Sequence, residues 1–556
     1  MKKLFLVMAA GCISGTVFAQ SAIDAYRFSQ PDLRGTARFM SMGGAFGALG
    51  GDLSSLSQNP AGIGVYRSNE IGFTLDLDAQ SATSDAQGSS INTKQTKFYL
   101  DNIGGVATLR FGDAALRNLN LGFTYNKGVS FNRRYNGVIP QLRSSMSNYI
   151  AGISNNAGLT VADVESTKDY DPYNPNDGGL AAPWLSILGY DSYLINPVGN
   201  PDSPKWQGQF GNGTTGLGNF DVVESGSVDE YNIALGGNIK DVLYWGMNFD
   251  IVNFNYNLQT QWEESLQNAY LVNSNNSIVQ TDSQWRLKNL YKANGTGFNY
   301  QLGFIVKPVQ EFRIGFAFHT PTWLTLTETY QASTQARYFG EGLSAQTNNG
   351  TPGYQDYNFN TPWKMIFSLA GVIGNKCIVS ADYQIDLYKT MKFSETSNYD
   401  YGYNDYWDWD YYSAPTPKAV YNDPFGPTNQ DIKNIYRTTN TLRLGAEYRV
   451  TPSFSIRAGY SFVSSPVEAK AKSGSETIYT SGTIPNFRFD NTTNYITCGL
   501  GYRYKGYYVD MAYVYKHMGS SYHAFTPDPT APEYPSPSAK LSFNNSRVIL
   551  SMGYKF

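Results

Sequence analysis

Residues 442–462 read Leu-Arg-Leu-Gly-Ala-Glu-Tyr-Arg-Val-Thr-Pro-Ser-Phe-Ser-Ile-Arg-Ala-Gly-Tyr-Ser-Phe. Leu442, Leu444, Ala446, Tyr448 and Val450 alternate with Arg443, Gly445, Glu447 and Arg449, and the turn Val450-Thr451-Pro452-Ser453 follows. Phe454, Ile456, Ala458, Tyr460 and Phe462 then alternate with Ser455, Arg457, Gly459 and Ser461. A strict period of two marks strands, so this is a hairpin with one oily face and one charged, glycine-bearing face. In a soluble sandwich the oily face is the core. In a transmembrane barrel it meets lipid and the polar face lines the lumen. The hairpin fits both, and the spacing of its neighbours decides.

Working outward, about fourteen alternating segments appear, at roughly 69–79, 94–110, 118–133, 229–240, 242–262, 290–306, 311–331, 362–374, 376–393, 436–450, 453–466, 491–504, 507–517 and 542–556. Several exceed the 9–11 residues a tilted strand needs to cross a bilayer. Short turns (Lys240-Asp241, Lys307 to Gln310, Gly374-Asn375, Thr451-Pro452, Lys505-Gly506) alternate with long polar stretches near 134–228, 263–289, 332–361, 394–435, 467–490 and 518–541. Short turns at one end and long loops at the other characterise outer-membrane barrels, with the turns periplasmic and the loops extracellular. The last strand, Val548, Leu550, Met552, Tyr554 and Phe556 against Arg547, Ile549, Ser551, Gly553 and Lys555, ends in an aromatic residue. Such an ending looks like the signal read by the barrel-assembly machinery. Closure is required because an open edge in hydrocarbon leaves N–H and C=O groups unpaired. The expected fold is all-β, a transmembrane antiparallel β-barrel of about 14 strands over 67–556 with an N-terminal hatch over 20–66.

Composition agrees. Aromatic residues make up 15%, with 43 Tyr and 54 Gly, while mean hydropathy is −0.37. After the N-terminus no run of 18 apolar residues offers a spanning helix; the nearest, Met365 to Val379, is broken by Gly374-Asn375-Lys376. Lys2 and Lys3, the apolar Leu4 to Ala10, and Val17-Phe18-Ala19 before Gln20 read as a secretory leader over 1–19. The rival, a lipoprotein acylated at Cys12, has a very short apolar core and no leucine three residues ahead. A net charge of −3 gives no reason to expect a nucleic-acid partner. Cys377 and Cys498 sit at apolar strand positions with two strands between them, so they are expected as small hydrophobic residues rather than a disulfide.

Residues 20–66 do not alternate. They carry Met42-Gly43-Gly44-Ala45 through Asp52, then Asn59-Pro60-Ala61-Gly62. No strand precedes the glycines and no Gly-Lys-Ser/Thr follows, which argues against a phosphate loop. Small residues suit close packing inside a barrel, and Asp52 is placed to cap a short helix reaching about Gln58 that Pro60 would end. This stretch resembles the N-terminal hatch of the FadL/TodX family of outer-membrane long-chain fatty-acid and hydrocarbon transporters. The resemblance implies a fourteen-stranded barrel in a Gram-negative outer membrane that passes hydrophobic small molecules, with Gly43, Gly44, Asn59, Pro60 and Ala61 as hatch and gating residues. It also implies exit by hatch movement or through the side wall. The segments 134–228 and 394–435 are longer than the family pattern, which leaves the outer ligand site undefined.

Other residues invite narrower readings. Arg443, Arg449 and Arg457 face the expected lumen, where any of them could meet a ligand carboxylate, or pair with Glu447 in an ion network. Residues 399–412 alternate Tyr and Trp with Asp, which suits an interfacial loop, ligand capture or Ca²⁺. His319, His517 and His523 are all expected near the extracellular rim, where axial haem ligation would support an alternative haemin-uptake role. A third reading is a surface shuttle or secretion component of the same fold. No Gly-x-Ser-x-Gly or His-Glu-x-x-His occurs, and no enzyme, resident cofactor or metal is expected. The partners expected are a hydrophobic ligand, outer-membrane lipids and, through Phe556, the assembly machinery.

Overall fold

The computed structural model describes residues 20–166, 182–272, 277–338, 341–374, 376–396, 423–474, 476, 478–480, 482–526 and 535–556. The leader over 1–19 and the aromatic tract 399–412 lie outside the described residues. Fourteen antiparallel strands close into a barrel. They are β1 (Glu70–Ala86), β2 (Ser89–Arg110), β3 (Leu116–Ser130, resuming as Arg133–Ile139), β4 (Thr215–Ile239), β5 (Leu243–Val272), β6 (Ile278–Val309) and β7 (Phe312–His319 and Trp323–Tyr338). The others are β8 (Gly353–Asn360 and Trp363–Ile373), β9 (Cys377–Leu387 and Lys392–Glu395), β10 (Thr439–Arg449), β11 (Phe454–Val463), β12 (Phe487–Tyr504), β13 (Tyr507–His523) and β14 (Ser538–Lys555). Each strand pairs with the next, and β14 returns to β1 from Glu70↔Lys555 to Asp85↔Lys540, so no free edge remains at the seam.

Each expected segment corresponds to one of these strands, and Cys377 and Cys498 sit unbonded on β9 and β12 with β10 and β11 between them. Loop lengths needed correction. The stretch 263–289 is not a loop: β5 and β6 run on to Val272↔Ile278. Likewise β3 reaches Ile139 and β4 starts at Thr215, β7 extends to Tyr338, and β13 reaches His523.

The reason is an inversion of the hydrophobic phase. On β5, Met247 and Ile251 point outward and Asn248 and Asp250 inward. Beyond that point Val252, Phe254, Tyr256, Leu258 and Trp262 are buried inside while Asn253, Asn255 and Gln259 face out. An outward apolar belt therefore girdles the short-turn half, with Phe298, Leu302 and Phe304 on β6, Phe367 and Leu369 on β8, Leu442 and Leu444 on β10, and Ile496 and Leu500 on β12. Phe249, Phe298, Tyr300 and Trp323 cluster at its upper limit, where amphipathic rings favour an interface. Above it the outer face is polar because it meets water, and the inner face is apolar because it is packed.

The long-loop half of the lumen is consequently filled. Residues between β3 and β4 form α3 (Met146–Asn156), α4 (Val161–Ser166) and α5 (Trp184–Asp191), whose Trp184, Leu185 and Leu188 join one core with the inner faces of β5 to β8. Glu264 of β5 fastens this cap, accepting from the Met146 backbone N–H at 2.8 Å and from Trp262 Nε1 at 2.8 Å.

Candidate functional site

The N-terminal segment lies inside the barrel in two parts. An upper arm holds α1 of the arm (Ala22–Phe28), in which Ser21 and Asp24 form a capping box and Arg27 pairs with Asp24 at 2.7 Å. Phe28 meets Phe254 edge-on at 5.0 Å and Tyr26 stacks on Tyr436 at 5.6 Å. Below it the hatch proper contains a short helix, α2 (Ala37–Ser41), and two 3-10 turns, Leu53–Ser57 and Pro60–Val65. Asp52 caps the first turn, accepting from Ser54 N–H at 3.0 Å. Burial pushes the Asp52 carboxyl up from its ordinary range. Pro60 does not simply end a helix. It stands at the first position of the second turn, where a proline's missing N–H costs nothing.

The barrel seats this hatch on glycines. A Cβ at Gly246 would fall 2.1 Å from the Pro60 carbonyl oxygen, one at Gly303 1.9 Å from Asn59 Oδ1, and one at Gly315 2.4 Å from the Gly47 carbonyl oxygen. On the opposite wall, Gly445 would meet the Met42 carbonyl oxygen at 2.6 Å and Gly459 the Gly43 nitrogen at 2.2 Å. The glycines of the hairpin quoted first are therefore the bed on which Met42 and Gly43 lie. Gly43 and Gly44 adopt φ of +62° and +75°, and a side chain at Gly43 would strike the Tyr460 backbone at 2.9 Å. Polar inward residues complete the seat: Thr497 Oγ1 accepts from Gly43 N–H at 3.1 Å and donates to the Ser41 carbonyl at 2.9 Å, and Asp382 accepts from Gly47 N–H at 3.0 Å.

Asn59 joins hatch to wall. Its Oδ1 accepts from Ala61 N–H at 3.1 Å, and its Nδ2 donates to the Gly47 carbonyl at 2.5 Å and, on the wall, to the Phe304 carbonyl at 3.4 Å. Asn59→Ala is expected to lower stability by about 1–2 kcal/mol, from a lost cap and an unpaired buried carbonyl. The thermal midpoint of the folded band on unheated gels measures it; an unchanged midpoint would show that the hatch is not held there.

Where arm and hatch meet, charges cross between them and the wall. Arg34 donates to Asp32 at 2.8 Å and to Asp101 at 2.7 Å, and Arg547 donates to Asp76 at 2.9 Å, to Asp101 at 2.9 Å and to the Leu33 carbonyl at 2.7 Å. Asp32 Oδ1 also accepts from Lys516 Nζ at 3.0 Å and Tyr495 Oη at 3.3 Å. Burial alone would raise the Asp32 carboxyl, but Lys516 and Arg34 outweigh it and hold it well below the ordinary carboxylate range.

Two adjoining cavities, both open to solvent, share Asp32, Ser130, Arg133, Lys516 and Met518. The inner one reaches Tyr26, Tyr388 and Val463; the outer one reaches Thr93 and Gln95 of β2 and Asn132 and Arg134 of β3. There the wall parts. The β2–β3 register runs from Arg110↔Asn118 to Asn102↔Asn126 and stops, while β2 continues upward against β1 and β3 against β4. The break in β3 at Phe131–Asn132 lets the fully buried Phe131 turn into the lumen against Tyr256 at 5.0 Å. Above Asn102, side chains bridge the parting, with Thr93 Oγ1 donating to Asn136 at 2.8 Å and Ser130 Oγ to Tyr99 Oη at 3.0 Å.

The three arginines separate. Arg457 is consumed by Glu447 at 2.7 Å and Asp510 at 2.6 Å. Arg443 is bonded to Gln384 at 2.8 Å beside the hatch. Arg449 is not a lumen residue: it lies exposed at the short-turn end, where the strand has passed the hatch. His319 is not at the rim either; it is buried beside the hatch with Nε2 against the Gln58 carbonyl at 2.9 Å. His517 bonds Asn544 at 2.8 Å and His523 stacks on Phe487, and none of the three lines either cavity. The residues that do, Asp32 and Lys516, were not singled out in the sequence. Lys516 shares the inward parity of Asp510, Ala512 and Val514, and a lysine on that face was the available signal.

A model of the family described as outer membrane protein transport protein (OMPP1/FadL/TodX) matches residues 227–556. A comparison with curated protein sequences gives no match. Among solved structures, a FadL homologue from Pseudomonas aeruginosa is 11% identical, with 95% of this chain and 100% of that chain covered and a TM-score of 0.49. The toluene transporter TodX of P. putida is 13% identical over 94% and 99%, with a TM-score of 0.45. The toluene transporter TbuX of Ralstonia pickettii is 13% identical over 94% and 98%, with a TM-score of 0.42.

Proposed function

Because this chain belongs to the outer membrane protein transport family (OMPP1/FadL/TodX), a family of transporters of hydrophobic compounds rather than enzymes, we propose that it carries long-chain fatty acids or similar carboxylate-bearing lipids across a Gram-negative outer membrane. The observation that carries this reading is the paired cavity, which runs from beside the arm to the parting between β2 and β3 and holds a carboxylate, that of Asp32, on Lys516 and Tyr495. A ligand carboxylate of the same shape takes this place when the arm withdraws. The acyl chain then lies toward Tyr26, Tyr388 and Val463 and leaves sideways through the parting, avoiding the packed hatch. The long loops face outward. Gly43, Gly44, Asn59, Pro60 and Ala61 keep the hatch seated while the arm above it moves, and the exposed Phe556 ring at the seam is available to the assembly machinery.

Equilibrium binding of oleate and of toluene to the detergent-solubilised protein tests the head-group assignment. Lys516→Met is expected to weaken oleate about tenfold or more, since a charge-assisted hydrogen bond contributes roughly 1.5–3 kcal/mol, and to leave toluene unchanged. Equal oleate affinity in both proteins would remove Lys516 from the site. Tight toluene binding with none for oleate would replace the fatty-acid reading by a hydrocarbon one.

A further inference from the structure

Around the arm, most buried carboxylates have a cation. Asp24 pairs with Arg27 at 2.7 Å, Glu224 with Arg133 at 2.8 Å and Asp490 with Arg488 at 2.9 Å. Glu328 on β7 is different. It is fully buried, and its Oε2 accepts from Tyr291 at 2.9 Å, Tyr357 at 3.0 Å and the Gln20 side-chain amide at 3.1 Å, while Oε1 has no hydrogen-bond partner. Among the described residues no cation pairs with it. A buried carboxylate with an empty oxygen and no counter-charge is costly unless something else completes the site. The residue standing against it is Gln20, itself 3% exposed, with its own side-chain oxygen also unpartnered.

We propose that Glu328 is the docking site of the processed N-terminus: the α-ammonium of Gln20, created when the leader is removed after Ala19, pairs with Glu328 and pins the arm in the lumen. This rests on the cleavage site read from Val17-Phe18-Ala19, and not on the identity of the transported molecule. In the uncleaved chain Gln20 offers a neutral amide with one N–H. After cleavage it offers a positive charge and three N–H donors, enough to neutralise Glu328 and fill Oε1. Leader removal thereby completes the chamber: in the mature protein the first residue of the arm is anchored at Glu328, and the movement that frees Lys516 is confined to the other end of the arm, around Asp32. The spacing is strict, because one extra residue displaces the ammonium by about 3.8 Å.

Amine labelling of the intact mature protein by reductive methylation, read by mass spectrometry of the N-terminal peptide, tests this. The expected result is a chain that starts at Gln20 with a free amine. That amine labels about tenfold or more slowly than in Glu328→Gln, and it reacts fully once the protein is denatured, because protection reflects local opening. Inserting one alanine between Ala19 and Gln20 leaves the barrel untouched and is expected to give the same loss of protection, so the test survives a Glu328→Gln protein that fails to fold. Equal labelling of the N-terminal amine in the native protein and in the insertion variant overturns the docking site. A Gln20 cyclised to the lactam, which has no ammonium, overturns it as well. A mature chain beginning at another residue overturns it through its premise, leaving the geometry at Glu328 to be explained otherwise.

Discussion

Tying β2 to β3 across their parting is expected to abolish uptake of the hydrophobic ligand. Thr93→Cys with Asn136→Cys, in a background where Cys377 and Cys498 are replaced by Ser, places two thiols where side chains already touch at 2.8 Å. A short bis-methanethiosulfonate linker then closes the outer cavity at its mouth. Uptake is measured in whole cells with radiolabelled oleate, before linking, after linking, and after reductant cleaves the linker. The expected sequence is active, inactive, active. Exit down the barrel axis would instead require the hatch to leave its glycine seat, a movement the linker does not hinder. Full uptake with linking complete would therefore assign the route to the axis and remove the parting from the pathway.

The second large effect concerns stability. Arg547→Met strips two buried carboxylates, Asp76 and Asp101, of the guanidinium that donates to both. Breaking a buried pair from one side costs roughly 3–5 kcal/mol, because the remaining charges are left in a medium that cannot solvate them. Arg34 donates to Asp101 at 2.7 Å and, at a longer 3.3 Å, to Asp76, but it already serves Asp32 and cannot replace the second guanidinium. The midpoint of urea unfolding from lipid vesicles should fall accordingly, and adding Asp76→Asn and Asp101→Asn should recover part of the loss. If the single variant unfolds at the native midpoint, water or mobility in the lumen already screens these groups.

Much of this architecture was legible because lipid imposes a strict rule on one face. Wherever outward residues meet hydrocarbon, as in Leu442 to Val450 and Val548 to Met552, alternation is clean and the strands are placed by it. The same hairpin carried the seat in plain view, since Gly445 and Gly459 interrupt its charged face where backbone must approach backbone. What escaped lies above the belt. At Asn253 to Gln261 outward positions turn polar and the apolar residues move inside, so a continuing strand reads as a hydrophilic connection. The site escaped for another reason. Asp32 and Lys516 are distant in sequence, and only the closed barrel brings the arm against β13. The parting between β2 and β3 begins where both strands break step, at the consecutive inward Asp101 and Asn102 of β2 and at Lys127 to Val129 of β3, and neither irregularity by itself tells a parting from an ordinary bulge.

The ion cluster at Arg547 also bears on how the wall closes. Its carboxylates come from the first two strands and Arg34 from the segment ahead of them, whereas Arg547 belongs to the final strand, on the side of the seam that pairs with β1. With the seam open, Asp76 and Asp101 face Arg34 alone. Pairing of β14 with β1 brings a second guanidinium to both and sets it against the Leu33 carbonyl. The charge that neutralises the first strands is thus carried by the last, and electrostatics favours the register that closes the barrel around the hatch.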